Sequence, residues 1–188
     1  MCKPTMAVDP LPGTRDGCYI PRVDGFQKDI EEMLDDLVTV LVGRHGDNLV
    51  SVVVFGSVGR GQARAGSDVD LLVVFRDLPR DRHERFLVFH EALLELRSRR
   101  GLLKAGGCHF DWTPIMLTAG EAAYHSPIYL DMTQDARLLL DRGGFFAEVL
   151  ARLRARIEEL GSRRVRLADG SWYWDLKPGM KAGEVVEL

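Results

Sequence analysis

Apolar positions along this chain alternate between helical spacing and short unbroken runs. Phe26, Ile30, Met33, Leu34, Leu37, Val38 and Leu41 recur every three or four residues, which predicts an amphipathic helix capped by Asp24 and ended near Gly43 or Gly46. Two apolar, β-branched runs follow, Leu49 to Phe55 and Val69 to Phe75, each of strand length. Helical spacing returns within residues 77–107: Phe86, Leu87, Phe89, Leu93, Leu94 and Leu96 lie behind a capping Asp81, and the segment ends in Arg97, Arg99 and Arg100. A third strand is expected from Cys108 to Leu117. Alternation there puts His109, Asp111 and Thr113 on one face and Phe110 and Trp112 on the other. Pro114 has no N–H to donate, so this strand belongs at a sheet edge or carries a bulge.

Residues 119–142 predict a short helical piece from Gly120 to His125, a break at Ser126-Pro127, and a fourth strand in the run Ala136 to Leu140. A helix is expected from about Gly144 to Leu160, with Phe145, Val149, Leu150, Leu153, Ile157 and Leu160 on one side. Val165 to Leu176 reads as a hairpin turning at Asp169-Gly170, with Trp172 and Trp174 on one face and Tyr173 on the other. These aromatics suit either packing on the core or docking a second chain. Residues 1–23, punctuated by Pro4, Pro10, Pro12 and Gly13, read as an irregular arm. The whole predicts an α/β fold, a mixed sheet of about four to five strands flanked by helices, with a C-terminal helix and β-hairpin tail.

Composition narrows the class. The 188 residues suit one domain with a small addition, and 46% hydrophobic content suffices for a core. A net charge of −3, from 25 basic and 28 acidic residues, argues against bulk binding to a nucleic-acid backbone. Cys2, Cys18 and Cys108 are odd in number and lack metal-type spacing, so they read as reduced thiols. With no apolar run near ~20 residues and no basic-then-apolar start, the expected location is cytoplasmic. His83-Glu84 and His90-Glu91 repeat at seven residues but form no HExxH pattern, and they read as an exposed helix face.

The chemistry concentrates between the first two strands. Gly56-Ser57 closes one strand, Gly59 and Gly61 follow, and Asp68 and Asp70 stand at the start of the next. Glycines let backbone amides approach an anion, and Ser57 adds a hydroxyl. Carboxylates two apart in a strand project to one face, where they repel unless a cation lies between them. An all-oxygen set favours a hard ion such as Mg2+. A phosphate cradle beside a carboxylate pair is an arrangement for phosphoryl transfer.

Gly56-Ser57, then Gly59-Arg60-Gly61, then Ser67-Asp68-Val69-Asp70 resembles the signature of the DNA polymerase beta-like nucleotidyltransferase superfamily, and the small size resembles its minimal nucleotidyltransferase type. The resemblance implies transfer of a nucleoside monophosphate from a nucleoside triphosphate such as ATP to a hydroxyl, with two Mg2+ ions held by three carboxylates. Mapped onto this chain, Asp68, Asp70 and Asp111 are the expected catalytic and metal-binding residues, with Gly56, Ser57, Gly59 and Arg60 binding the nucleotide. Arg60 also suits pinning the loop through a carboxylate, the reading favoured here, and His109 suits either orienting Asp111 or merely completing the strand surface. The implied organisation is an arm over residues 1–23, a nucleotidyltransferase domain over 24–142, and a C-terminal addition over 143–188. The acceptor stays open between a small molecule, as in the aminoglycoside enzymes, and a tyrosine of a helical HEPN-type partner protein. A non-catalytic binding module of the same fold, or self-association through the aromatic tail, are further readings of the same residues.

Overall fold

A computed structural model describes residues 14–15, 18–19, 26–64, 66–100, 111–124, 126–181 and 184–188. Strands β1 (Thr14–Arg15) and β2 (Cys18–Tyr19) pair antiparallel, where the sequence predicts an irregular arm. The intervening Asp16-Gly17 is a dipeptide that tight hairpins favour, and its signal is overshadowed by the prolines before it. Helix α1 spans Phe26–His45, strand β3 Leu49–Phe55, the single turn α2 Gly56–Gly59, strand β4 Val69–Phe75 and helix α3 Arg82–Arg99. Strand β5 (Trp112–Thr118), the short α4 (Ala119–Ala122), helix α5 (Ile128–Asp135), strand β6 (Arg137–Asp141) and helix α6 (Phe145–Leu160) follow. The hairpin β7 (Arg163–Arg166) and β8 (Trp172–Asp175) turns through Gly170, whose φ is +86°. Residues 108–110, assigned above to the third strand, lie outside the described residues.

The central sheet runs β5-β4-β3-β6. Strand β3 is antiparallel to β4 and β6, and β4 is parallel to β5, so the sheet is mixed and has four strands. Helix α3 makes the crossover that a parallel pair requires. Strand β5 is an edge strand, which accommodates Pro114. Because β3 and β4 are buried on both faces, they carry apolar residues at nearly every position rather than alternating.

Alternation divides the core in two. Val52, Val54, Leu71, Val73 and Phe75 pack with Ile30, Leu34, Leu37 and Leu41 of α1 and Phe89, Ala92 and Leu96 of α3. Val53, Phe55, Leu72 and Val74 pack on the other face with Tyr129 and Met132 of α5 and Phe146, Val149, Leu150 and Leu153 of α6. The C-terminal helix therefore covers half of the sheet. Asp141 ties it down: one carboxylate accepts from Ser51 Oγ at 2.6 Å and from the Phe146 and Ala147 amides at 2.9 and 3.0 Å. It satisfies donors at the start of α6 that have no partner within the helix.

Helix α5 is the element the sequence reading lacks. Ser126-Pro127 predicts a break, and the break holds, but Pro127 stands at the N-cap of a new eight-residue helix. A proline ends one segment and fits the first turn of the next, because its missing N–H has no acceptor there. Two of the three arginines at the end of α3 are paired: Arg99 with Glu95, and Arg100 with Asp36 on α1 at 2.5 Å.

Glu121 in α4 forms a capping box with Thr118 and a two-pronged pair with Arg85, at 2.8 and 2.9 Å. The hydrogen bond from Arg85, then those from Thr118, hold its pKa down at about 2 against an ordinary 4.5. Its stabilising contribution is therefore complete above 4.5 and is lost as pH falls toward 2. Half exposure makes it small. Glu121→Gln is expected to melt slightly lower than wild type at pH 7, with the gap closing between pH 4.5 and 2 in thermal melts. A gap that persisted at pH 2 would show that the charge is not its source.

Candidate active site

The predicted residues converge at one end of the sheet, where β3 finishes and β4, β5 and β6 begin. Phe55 is paired with Asp70 across β3 and β4. The next residue, Gly56, turns with φ +65°, a conformation that side chains resist. A Cβ placed on Gly56 would lie 2.0 Å from Asp70 Oδ2. The absent side chain is what lets the loop backbone sit against the carboxylate. The other oxygen, Oδ1, accepts a hydrogen bond of 2.7 Å from Thr113 Oγ1, its register partner on β5. Asp70 is thus held from both sides.

Asp68 and Asp111 sit just outside the strands. Val69 pairs with Trp112, and the Val69 amide donates to the Asp111 carbonyl at 2.8 Å, so the residues before each stand side by side. Asp68, Asp70, Asp111 and Thr113 belong to the sheet face that carries Leu72 and Val74. Asp68 and Asp111 are exposed and Asp70 is half-buried. Among the described residues no three His, Cys, Asp or Glu side chains are gathered closely enough to hold a metal ion. The donor type is nevertheless the one a hard ion takes: Asp68, Asp70 and Asp111 offer carboxylate oxygens on one face at one sheet end, and Thr113 fixes Asp70.

The other loop residues divide. Ser57 is half-buried, and its carbonyl accepts from the Gln62 amide at 2.9 Å, closing the loop on itself. A Cβ on Gly59 would lie 2.5 Å from the Asp135 carbonyl oxygen and 3.1 Å from that of Val54. Gly59 is therefore required where the loop passes between β3 and the end of α5. Arg60 pairs with Asp135 at 3.5 Å, and its guanidinium lies 5.2 Å from the centre of the Trp172 ring. His109, the proposed orienter of Asp111, lies outside the described residues.

Sequence reasoning missed the ring of residues around Arg60. Arg164 also pairs with Asp135, at 3.1 Å, and lies 4.0 Å from the Trp172 ring centre. The indole N–H groups of Trp172 and Trp174 both donate to Asp131 on α5, at 2.9 and 3.0 Å. The tail hairpin is thereby fastened to α5, and through Asp135 and Trp172 to the Gly-Ser loop. Thr113 was legible as sharing a face with Asp111, and what it bonds was not.

Residues 34–101, which contain both Gly56-Ser57 and Asp68/Asp70, match the model of the nucleotidyltransferase domain family. Over that span the chain is similar to the nucleotidyltransferase domain. It is 29% identical over 136 residues to a protein of Methanocaldococcus jannaschii described as a candidate protein adenylyltransferase, covering 71% of this chain and 87% of the relative. Among solved structures, a candidate nucleotidyltransferase from Sulfolobus solfataricus is 21% identical, with a TM-score of 0.42 over 62% of this chain and 84% of that one. A structure of a tri-AMPylated Shewanella oneidensis HEPN toxin in complex with an MNT antitoxin gives 15% identity and a TM-score of 0.40, over 70% and 92%. Asp111 lies beyond the matched domain span. No helix among the described residues is long and apolar enough to cross a membrane.

Proposed function

We propose that this protein transfers a nucleoside monophosphate from ATP to a hydroxyl on a protein acceptor, with two Mg2+ ions as cofactors. The observation that carries the reading is the seat of Gly56 against Asp70, which supports a role for this loop in cradling phosphate beside a carboxylate that would hold metal. The archaeal relative's description supports ATP as donor and a protein as acceptor. The acceptor we favour is a tyrosine of a small helical HEPN-type protein.

On this reading Asp68, Asp70 and Asp111 would hold the ions, whose charge neutralises the phosphates when they are bound. The Gly56 to Gly59 amides and the Ser57 hydroxyl donate to the β- and γ-phosphate oxygens. Thr113 keeps Asp70 in one rotamer through their hydrogen bond. The acceptor oxygen attacks the α-phosphorus, the bond to the bridging oxygen breaks, and pyrophosphate leaves. Asp111, exposed at the mouth of β5, takes the acceptor's proton. Arg60 holds the loop through Asp135 rather than acting as a free phosphate ligand.

Calorimetry with ATP, GTP, CTP and UTP, with and without Mg2+, is expected to show Mg2+-dependent binding, tightest for ATP. Label from α-phosphate-labelled ATP is expected to pass to a protein hydroxyl. Negligible heat with all four nucleotides would leave only a binding module of this fold. Self-association is tested separately at Tyr173, half-exposed at 51% on the outer face of the hairpin. Tyr173→Ala is expected to shift stability by less than about 0.5 kcal/mol while weakening assembly in sedimentation. Unchanged assembly with a lowered melting temperature would place the ring in the core instead.

A further inference from the structure

The Gly-Ser loop is held at its two ends by different parts of the chain. Gly56 is seated against Asp70, and Gly59 and Arg60 meet Asp135 at the end of α5. The Asp135 carbonyl leaves no room for a Cβ on Gly59, and its carboxylate pairs with Arg60 at 3.5 Å. The same carboxylate takes Arg164 of the hairpin at 3.1 Å, so loop and hairpin share one acceptor. Trp172 makes a second link. Its ring centre lies 5.2 Å from the Arg60 guanidinium and 4.0 Å from that of Arg164, both within reach of a cation–π contact. Its indole N–H is anchored on Asp131 at 2.9 Å, one turn of α5 before Asp135.

A single helical turn does not hold itself in place. Helix α2 has four residues, and the bonds from the Arg60, Gly61 and Gln62 amides to the Gly56, Val58 and Ser57 carbonyls are all local. The placement of the loop is therefore set by the groups packed around it. We infer that Trp172 and Asp135 are positioning residues: acting through Arg60, they brace the Gly-Ser loop. An arginine held between a carboxylate and an aromatic ring loses much of its freedom, and the backbone that carries it is fixed with it. The brace rests on these contacts alone, and its part in nucleotide binding rests on the function proposed above. The hairpin lies beyond residues 34–101, so an active-site loop inside the matched span is steadied by residues outside it.

Hydrogen exchange at the Arg60, Gly61 and Gln62 amides of the nucleotide-free full chain reads the brace without any activity. Trp172→Leu and Asp135→Asn are expected to speed it at least about fivefold. Trp174→Leu is the control. Trp174 bonds the same Asp131 and packs on the core, but among the described residues neither arginine lies on its ring. That variant is expected to melt lower with loop exchange as in wild type. Trp172→Phe keeps a ring facing Arg60 without the N–H, and is expected to restore slow exchange. Calorimetry with Mg2+-ATP then reads the positioning. Affinity is expected to fall about three- to tenfold in Trp172→Leu and Asp135→Asn, and to hold in Trp172→Phe and Trp174→Leu. Wild-type exchange in Asp135→Asn, a near-isosteric change, would overturn the inference. Equal effects of Trp172→Leu and Trp174→Leu, or no recovery in Trp172→Phe, would do the same. Faster exchange at unchanged ATP affinity would overturn the positioning role. If wild type binds no Mg2+-ATP, the proposed function fails, and the exchange comparison still decides the brace.

Discussion

Gly56→Ala is expected to remove transferase activity while lowering stability only moderately. The variant carries two costs of different kinds. An alanine at φ +65° is strained by about 1–2 kcal/mol, whatever surrounds it. Its Cβ, built 2.0 Å from Asp70 Oδ2, also evicts the carboxylate from its seat. Asp70 cannot yield freely, because Thr113 holds its other oxygen at 2.7 Å. Displacement of a reacting group by about 1 Å can cost 10²-fold in rate, so a loss of about that size or more is expected. Gly61→Ala separates the two costs. Gly61 has φ +67° and nothing within 4 Å of its Cβ position, so it carries the strain without the collision. Both variants are expected to melt lower, and only Gly56→Ala to lose turnover. Equal activity in the two would mean that the contact between Gly56 and Asp70 has no part in catalysis.

That contact also marks how far the sequence could be read. Two apolar runs of seven residues buried on both faces leave little choice but adjacent central strands, and the glycine-serine turn after the first, with Asp68 before the second and Asp70 within it, pointed to the candidate site. The helix α1 pattern and the Asp81 cap were legible for the same reason: period and end chemistry are local. Local signals failed where tertiary partners decide. Helix α5 has one buried face of Tyr129, Leu130, Met132 and Thr133, too short to declare a period, and it persists through docking on α6 and the hairpin. Asp131 and Asp135 look like any exposed carboxylates in the sequence. Only folding brings Trp172, Trp174 and Arg164 to them from some thirty to forty residues away. Gly59 shows a further gap: its spacing suggests a phosphate contact, and its surroundings show a backbone crossing with no room for a methyl group.

Asp70→Asn is expected to reduce label transfer by about 10³-fold or more while leaving the fold in place. The substitution is nearly isosteric, and an Asn carbonyl oxygen can still accept the Thr113 hydroxyl hydrogen. What it removes is charge. Asp68, just before β4, and Asp70 within it fall on one face, so without a cation they repel, and neutralising one relieves that repulsion. The metal-free variant is therefore expected to melt at or slightly above the wild-type temperature. With Mg2+ and ATP together, wild type is expected to gain thermal stability through linkage, and the variant to gain little, because the site binds through the charge it has lost. The four melts and the transfer assay decide together. A fall of many degrees without metal would make Asp70 a structural residue held by Thr113 and Gly56. An unchanged transfer rate would remove the carboxylate pair from the mechanism altogether.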